Sequence, residues 1–269
     1  MVFIISTLGP TNQYKDQRMF HKTFRMFMNS LLNQTDKNFR LFLACHNLPE
    51  MPIDTRLPIT FCEANIEGKI DTTLVLADYE NIDIFNLDLS TIHFDLKPFD
   101  CPMTDMSRKT ILASFSAIRY AIRMGVKEFW MLRMDSDDFL GKDIIEQLNK
   151  IDTKKFQGIW NRKCHMLDIS TDKFGIAIHP YSTTTAAVHF KIDFENKIIN
   201  LPWHFLAYNH TKLFSRMKEF NIKTKEIDWT MAISCNSGNH ISGRPTIQKE
   251  GFFKELIPLT PELRDRYGL

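Results

Sequence analysis

The sequence of 269 residues lacks several features by which whole classes of protein are recognised. It has only ten glycines and contains no GxGxxG, GxxxxGK(S/T), GxSxG or HExxH pattern. This argues against the common dinucleotide-binding, P-loop, serine-hydrolase and metalloprotease sites. The five cysteines are widely spaced and form no CxxC pair. We therefore expect free thiols in a reducing compartment, a cytoplasmic location and no structural zinc site.

A charge excess of one sign and long apolar runs are also missing. Lysine and arginine number 34 and aspartate and glutamate 32, so the formal net charge is only +2. Nucleic-acid-binding proteins usually show a strong basic excess. No stretch approaches the roughly 18–20 apolar residues of a membrane-spanning helix, and the apolar run in MVFIIS is too short for a signal peptide. We expect no nucleic-acid partner and no transmembrane segment, and a peripheral membrane contact stays open.

The first half of the sequence contains alternating strand and helix patterns. In chain order they predict a strand at 2–6, a helix within 16–34, strands at 39–44 and 59–62, a helix at 108–124 and a strand at 128–134. The helices are recognised by apolar residues at intervals of three, four and seven. Residues 63–106 carry no clear pattern, and Pro98 and Pro102 indicate loops.

The second half carries weaker patterns. They predict helices at 142–150 and 210–220 and strands at 158–160 and 186–192. Strands that alternate with helices predict an α/β fold, with a mainly parallel central sheet and helices on both of its faces. We interpret the second half as a smaller mixed α+β region packed on the first. No repeat or linker divides the chain, so one continuous unit is favoured.

An acidic cluster, Asp135-Ser136-Asp137-Asp138, directly follows the apolar strand pattern. Ligands of open α/β sheets bind beyond the carboxyl ends of the strands. In an extended segment, residues two apart point the same way, so Asp135 and Asp137 could share one Mn²⁺ or Mg²⁺ ion. Such a cation would neutralise a diphosphate leaving group. In the alternative interpretation, the acids cap the following helix or form a solvated turn.

Two segments together resemble a known family. The segment 30–35, SLLNQT, resembles the corresponding segment of family-2 glycosyltransferases, and the strand-borne MDSDD resembles their metal motif. The layout is similar to that of a bacterial rhamnosyltransferase group, over roughly residues 1–150. The resemblance implies a GT-A fold, a nucleoside-diphosphate sugar donor, a glycan or other hydroxyl acceptor, a divalent metal and inversion at the anomeric carbon.

The resemblance also implies roles for single residues. Asp135 would lie near the ribose or a metal-bound water, and the metal ligands would be Asp135, Asp137 and a histidine near the C-terminus, His240. Contacts to the nucleotide and the donor are assigned to Thr7, Asn47, Arg108, Lys109, Asp135, Asp138 and Trp229. Arg108 and Lys109 are interpreted as the start of a helix, where phosphate oxygens bind well. In the alternative interpretation, Arg108 and Lys109 form a solvated helix end without a ligand.

The acceptor and the general base are expected in the second half. In KEIDWTM, Asp228 followed by Trp229 resembles the acidic motif of the family, which implies that Asp228 deprotonates the acceptor hydroxyl. Glu226 is the alternative base, and a capping aspartate beside a core tryptophan is the structural alternative. The implied organisation is one GT-A-like domain over residues 1–269, with a nucleotide-sugar-binding half at 1–138 and an acceptor-binding half at 139–269.

One departure from the family concerns the nucleotide base. Family-2 enzymes place acidic residues just after the second strand, where this chain has Cys45-His46-Asn47. The substitution weakens a preference for UDP, and the resemblance to rhamnosyltransferases favours a deoxysugar carried on dTDP. Alternatively, Asp78 or another acid in 63–106 reads the base, and UDP is kept.

Two rival functions stay open. A nucleotidyltransferase on a similar sheet would need a glycine-rich basic loop after the first strand, and residues 6–12 match that loop poorly. The chain could instead be a catalytically silent protein that binds nucleotides or carbohydrates. Metal-dependent hydrolysis of a sugar donor would distinguish the enzyme from such a protein.

Overall fold

A computed structural model describes residues 1–9, 16–46, 53–63, 84–86, 102–161, 163–169, 173–178, 186–207, 210–227, 232–236 and 254–269. The helices in these ranges are α1 (Gln17–Leu32), α2 (Pro102–Met124), α3 (Ile144–Asn149), α4 (His210–Glu219) and α5 (Pro261–Tyr267), and a 3-10 turn covers Phe205–Ala207. The strands are β1 (Val2–Thr7), β2 (Phe39–Cys45), β3 (Ile59–Glu63), β4 (Glu128–Asp135), β5 (Phe139–Leu140), β6 (Gly158–Trp160), β7 (Lys163–Asp168), β8 (Lys173–Ile178), β9 (Ala186–Asp193), β10 (Ile198–Ile199), β11 (Thr224–Glu226), β12 (Ala232–Asn236) and β13 (Glu255–Leu256).

The central sheet is built around β4. Its strand order is β11-β6-β9-β4-β1-β2-β3, and β10 pairs with β9. Strands β3, β2, β1 and β4 are parallel, β9 is antiparallel to β4 and β6, and β11 is parallel to β6. The predicted α/β fold with a mainly parallel sheet is therefore confirmed. The second half of the chain also contributes to this sheet, through β6, β9 and β11.

Helices cover both faces of the central sheet, as the sequence predicts. Val2 and Ile4 of β1 pack in one apolar cluster with α1 and α3, whereas Phe3 and Ile5 pack in a second cluster with α2. The buried apolar stripe of α1 includes Phe20, Phe24, Phe27 and Leu31. Burying one such side chain contributes roughly 1.5–3 kcal/mol. The stripe, more than intrinsic helix propensity, therefore holds α1 against the sheet.

A second, smaller sheet has the strand order β13-β8-β7-β12-β5 in the described part of the chain. Helix α5 contributes the fully buried Tyr267 to the apolar cluster that contains α1. A smaller region of strands and a helix is thus present in the second half, as predicted, but the strands predicted for it at 158–160 and 186–192 belong to the central sheet. The acidic cluster lies on the connection between the two sheets, because it follows β4 of the central sheet and precedes β5 of the second.

The start of α2 differs from the prediction. The helix begins at Pro102, six residues before the predicted start at Arg108. Proline is well tolerated in the first turn of a helix, where its missing N–H has no intrahelical partner, so Pro102 begins the helix and does not mark a loop. Arg108 and Lys109 consequently lie in the second turn of α2. None of the helices in the described ranges combines the length and apolar character that a membrane crossing requires.

Candidate active site

The carboxyl ends of several central strands meet at one edge of the sheet. Strands β3, β2, β1 and β4 run in one direction, and β6 shares that direction because it is also antiparallel to β9. The last residues of these strands are Glu63, Cys45, Thr7, Asp135 and Trp160. Ligands of α/β proteins bind at this edge. The acidic cluster therefore lies at the carboxyl edge of the sheet, as predicted.

Two of the predicted site residues lie side by side. Thr7 and Asp135 are register partners on the neighbouring parallel strands β1 and β4, which places their backbones about 4.8 Å apart. Phe3, Ile5 and Met131 belong to the apolar cluster on the α2 face. Side chains alternate along a strand, so Thr7 and Asp135 project toward that same face.

The acidic cluster forms a turn. Strand β4 ends at Asp135, residues Ser136 and Asp137 form the turn, and the Asp138 amide donates to the Asp135 carbonyl at 3.1 Å. Ser136 and Asp137 therefore form the turn that was given as the alternative interpretation, and Asp135 and Asp137 do not lie in one extended segment. Asp137 is half-buried and Asp138 is 3% exposed. The assignment of Asp137 to a metal stays a prediction.

The Asp135 carboxylate offers an oxygen that a ligand can use. Its Oδ1 atom is buried and has no hydrogen-bond partner in the described part of the structure. Buried polar groups in proteins nearly always have partners, and carboxylate oxygens are preferred ligands of Mg²⁺ and Mn²⁺. The residues present thus fit a divalent cation. Within the described ranges, no group of three or more His, Cys, Asp or Glu side chains could hold one.

Arg133 is a site residue that the sequence analysis missed. It is fully buried in β4, two positions before Asp135 and on the same face, and its Nη1 donates to the Leu206 carbonyl at 3.2 Å. Burial lowers the pKa of the Arg133 guanidinium, and the nearby Asp135 charge acts in the opposite direction. A basic residue inside the otherwise apolar strand EFWMLRMD is the signal that could have identified it.

Lys109 makes a backbone contact that the sequence did not predict. It is 1% exposed, and its ammonium donates to the Leu8 carbonyl at 2.7 Å. Lys109 thus faces the sheet, and since α2 begins at Pro102 it does not stand at the helix start. The lysine therefore ties α2 to the end of β1, and its contact with phosphate stays a prediction. The side chain of Arg108 lies outside the described part of the structure.

The remaining predicted residues fall in undescribed segments. Asn47, Asp228, Trp229 and His240 lie outside the described residues. The chain approaches Asp228 through β11, which is parallel to β6, and the Ile227 amide donates to the Trp160 carbonyl at 2.9 Å. Glu226, the alternative base, is exposed at the end of β11. Glu226 therefore lies at the carboxyl edge of the central sheet.

Comparisons with known proteins give distant structural likenesses. No family model matches the chain, and a search of curated proteins finds no match. Among solved structures, S. aureus TarS is similar at a TM-score of 0.38 and 12% identity, over 88% of this chain and 37% of that chain. A "putative nucleotide-diphospho-sugar transferase" from Desulfovibrio desulfuricans G20 is similar at 0.36 and 8% identity, over 86% of this chain and 81% of that one. The chain spans little more than a third of TarS.

Proposed function

We propose that the chain is a GT-A-type glycosyltransferase that moves a sugar from a nucleoside-diphosphate sugar to an acceptor hydroxyl. One observation carries the proposal: the acidic turn lies at the carboxyl end of the central strand β4, and the buried Oδ1 of Asp135 there has no hydrogen-bond partner among the described residues. Thr7 ends the neighbouring strand β1 in register with Asp135. The combination supports a site for a metal-bound diphosphate between the ends of β1 and β4.

The chain's own residues would bind and orient the donor. Asp135 and Asp137 would hold Mn²⁺ or Mg²⁺, which supplies Lewis-acid stabilisation of the departing diphosphate. Thr7 presents a hydroxyl beside Asp135. The Lys109 ammonium fixes the carbonyl of the next residue, Leu8, and so keeps the end of β1 in place. Donor groups held before the reaction begins stabilise developing charge without reorganising.

The transfer itself needs a proton acceptor near the sugar. The acceptor oxygen would form a bond to the anomeric carbon while the bond from that carbon to the diphosphate oxygen breaks. The nucleoside diphosphate leaves with the bonding electrons, and the hydroxyl proton passes to Asp228. Attack opposite the leaving group inverts the anomeric carbon. The end of β11 at the carboxyl edge, two residues before Asp228, supports this assignment.

Metal-dependent nucleotide binding tests the proposal directly. We expect wild-type protein to bind its preferred nucleoside diphosphate more tightly with Mn²⁺ than without it. The Asp137→Ala variant should fold but bind the Mn²⁺ complex about 100-fold more weakly, a loss of about 2.7 kcal/mol, because one metal ligand is missing. Titration calorimetry with and without Mn²⁺ measures both affinities.

The matched control for this experiment is Asp152→Ala. Asp152 is an exposed carboxylate that follows α3 and forms an ion pair with Lys155, so its removal should leave the Mn²⁺ effect intact. An unchanged affinity in Asp137→Ala would refute the metal assignment. Absence of any Mn²⁺ effect in the wild type would refute the metal-dependent mechanism as a whole.

A further inference from the structure

The SLLNQT segment (30–35) contacts the chain that follows the acidic turn. We call residues 139–145 the post-turn segment. The Ser30 hydroxyl accepts from the Leu140 amide at 3.1 Å. The Gln34 side chain donates from Nε2 to the Gly141 carbonyl at 2.9 Å and accepts from the Ile145 amide at 3.4 Å. Two side chains of one segment thus hydrogen-bond three backbone positions of the other.

Thr35 extends these contacts on the exposed side. Its amide donates to the Lys142 carbonyl at 2.7 Å, and its hydroxyl lies 3.2 Å from the same carbonyl and 3.1 Å from Glu146 Oε2. Ser30 is 0% exposed and Gln34 is 1% exposed. A buried polar side chain is costly unless its hydrogen bonds are made. The segment is therefore built to bind the post-turn backbone, in addition to packing α1.

Helix α5 holds the post-turn segment from another direction. The Lys142 amide donates to the Arg266 carbonyl at 2.8 Å, and the Arg266 guanidinium lies 3.0 Å from Asp143 Oδ1. Lys142 also forms an ion pair with Asp265. The Asn33 side chain donates to the Asp265 carbonyl at 2.6 Å, so the SLLNQT segment, the post-turn segment and α5 form a closed set of contacts.

The position of the acidic turn depends on the chain at its two ends. On one side β4 is fixed by its pairing with β1 and β9. On the other side β5 has only two residues, and both pair with β12. So short a strand has few ladder hydrogen bonds of its own. The contacts from Ser30 and Gln34 therefore determine much of where the turn from Asp135 to Asp138 ends.

We propose that Gln34, together with Ser30 and Thr35, is a positioning residue for the acidic turn. It acts on the metal-binding carboxylates through the backbone of the post-turn segment and does not touch the substrate. This inference rests on the proposed function, because the contacts are taken to position the carboxylates of the proposed metal site. Residues that orient metal ligands typically affect metal affinity by roughly 10–100-fold when they are changed.

The Gln34→Met variant tests the inference. Methionine has a similar length but cannot donate to Gly141 or accept from Ile145. The control is Gln157→Met, because Gln157 Nε2 also donates to two backbone carbonyls, those of Thr153 and Lys154. Two measurements are made on each variant: amide hydrogen exchange of peptides covering 135–145, and nucleoside-diphosphate affinity with and without Mn²⁺.

In Gln34→Met we expect faster amide exchange in 135–145. Mn²⁺ should increase the nucleoside-diphosphate affinity of this variant about ten-fold less than it does for the wild type, and the affinity without metal should be unchanged. Gln157→Met should change neither. Unchanged exchange, or faster exchange with an intact Mn²⁺ effect, would overturn the inference. If the wild type itself shows no Mn²⁺ effect, the proposed function has failed and the inference fails with it.

A second pair of variants tests the inference even if Gln34→Met fails to fold. Thr35 is exposed, so Thr35→Val should fold while losing the hydroxyl contacts to Lys142 and Glu146. Thr35→Ser keeps the hydroxyl and should restore the Mn²⁺ effect to the wild-type value. Equal Mn²⁺ effects in the valine and serine variants would count against positioning by this segment.

Discussion

A carboxylate that binds a cation and one that accepts a proton respond differently to the same substitution. We predict that Asp228→Asn retains donor affinity and loses turnover by roughly 10²–10⁴-fold, because the amide is nearly isosteric but cannot take the proton. The loss should appear in kcat and not in donor binding. Initial rates of donor turnover, combined with calorimetry of the nucleoside diphosphate, measure the two effects separately.

Glu226→Gln is the control for this experiment, because Glu226 is the other acid near the end of β11. It should retain turnover. If Glu226→Gln abolishes turnover while Asp228→Asn spares it, the base has been assigned to the wrong acid. Donor turnover in the wild type also separates an enzyme from a silent nucleotide- or carbohydrate-binding protein, which would bind without releasing nucleoside diphosphate.

The choice of nucleotide base is predicted to depend on the residues after β2. His46 follows β2, and neither it nor Asn47 offers the carboxylate that would accept from N3–H of uracil or thymine, although both offer neutral acceptors. We predict that dTDP with Mn²⁺ raises the melting temperature more than UDP or GDP does at equal concentration. Asn47→Ala should reduce that shift. A UDP preference that Asp78→Asn abolishes and Asn47→Ala leaves intact would contradict the prediction.

Single site residues differ in how far sequence could predict them. The position of Asp135 at the end of a strand was predicted correctly, because an apolar run that ends in acidic residues is a local pattern. In a parallel sheet, the end of such a strand lies at the carboxyl edge. The contact of Lys109 with the Leu8 carbonyl could not be predicted, because it depends on how α2 packs against the end of β1. The turn at Asp137 was given only as the alternative interpretation, because an acidic run can continue a strand or reverse it, and the pairing of β5 with β12 decides between the two.

Among the elements, those with long local patterns were predicted best. Helix α1 and strands β1, β2 and β4 match their predicted ranges within one or two residues at each end. Strands β7, β8 and β12 were missed. Strands β7 and β8 follow one another in sequence and pair with each other, whereas β12 pairs with the distant β7. The stability of such strands depends on their cross-strand neighbours more than on local propensity. Helix α5 could have been found: Thr260 caps it by accepting from the Leu263 amide, Pro261 starts it, and Gly268 ends it with a φ of 67°.

Helix α5 also makes the stability of the protein sensitive to pH. His165 Nδ1 in β7 lies 2.7 Å from the Tyr267 hydroxyl. Burial lowers the pKa of His165 to about 4, and the nearby Arg266 charge acts in the same direction. In the unfolded chain the pKa returns to about 6.5. The unfolded state then binds a proton more readily, so the stabilisation is complete above pH 6.5 and is lost as the pH falls toward 4.

We predict that this loss is on the order of 1–2 kcal/mol in the free energy of unfolding, less than the full pKa difference implies, because His165 is partly exposed to solvent. The His165→Asn variant keeps an acceptor near the Tyr267 hydroxyl but has no group that titrates in this range. Its stability should therefore depend less on pH between 7 and 4 than that of the wild type. Urea denaturation at several pH values measures the difference. Identical slopes for the two proteins would show that His165 does not contribute to the pH dependence.

At the scale of the whole molecule, the two sheets share one chain in an order that local patterns do not reveal. Strand β9 pairs with β4 although α3, β6, β7 and β8 lie between them in sequence. The fold class followed from alternating elements, but the use of β6, β9 and β11 to complete the central sheet did not. Pairing between strands so far apart in sequence depends on which strand edges of the sheet are still unpaired. No local pattern in a single sequence shows this.

The contacts around the acidic turn also bear on the order in which the chain folds. Gln34 meets the post-turn segment across 107 and 111 sequence positions, and Asn33 meets Asp265 across 232. Closing such long loops costs entropy before the contacts form, so they develop late in folding. During synthesis, β1, α1 and β2 are complete long before α5 leaves the ribosome. The carboxylates at the turn thus acquire their final geometry only when nearly all of the chain is present.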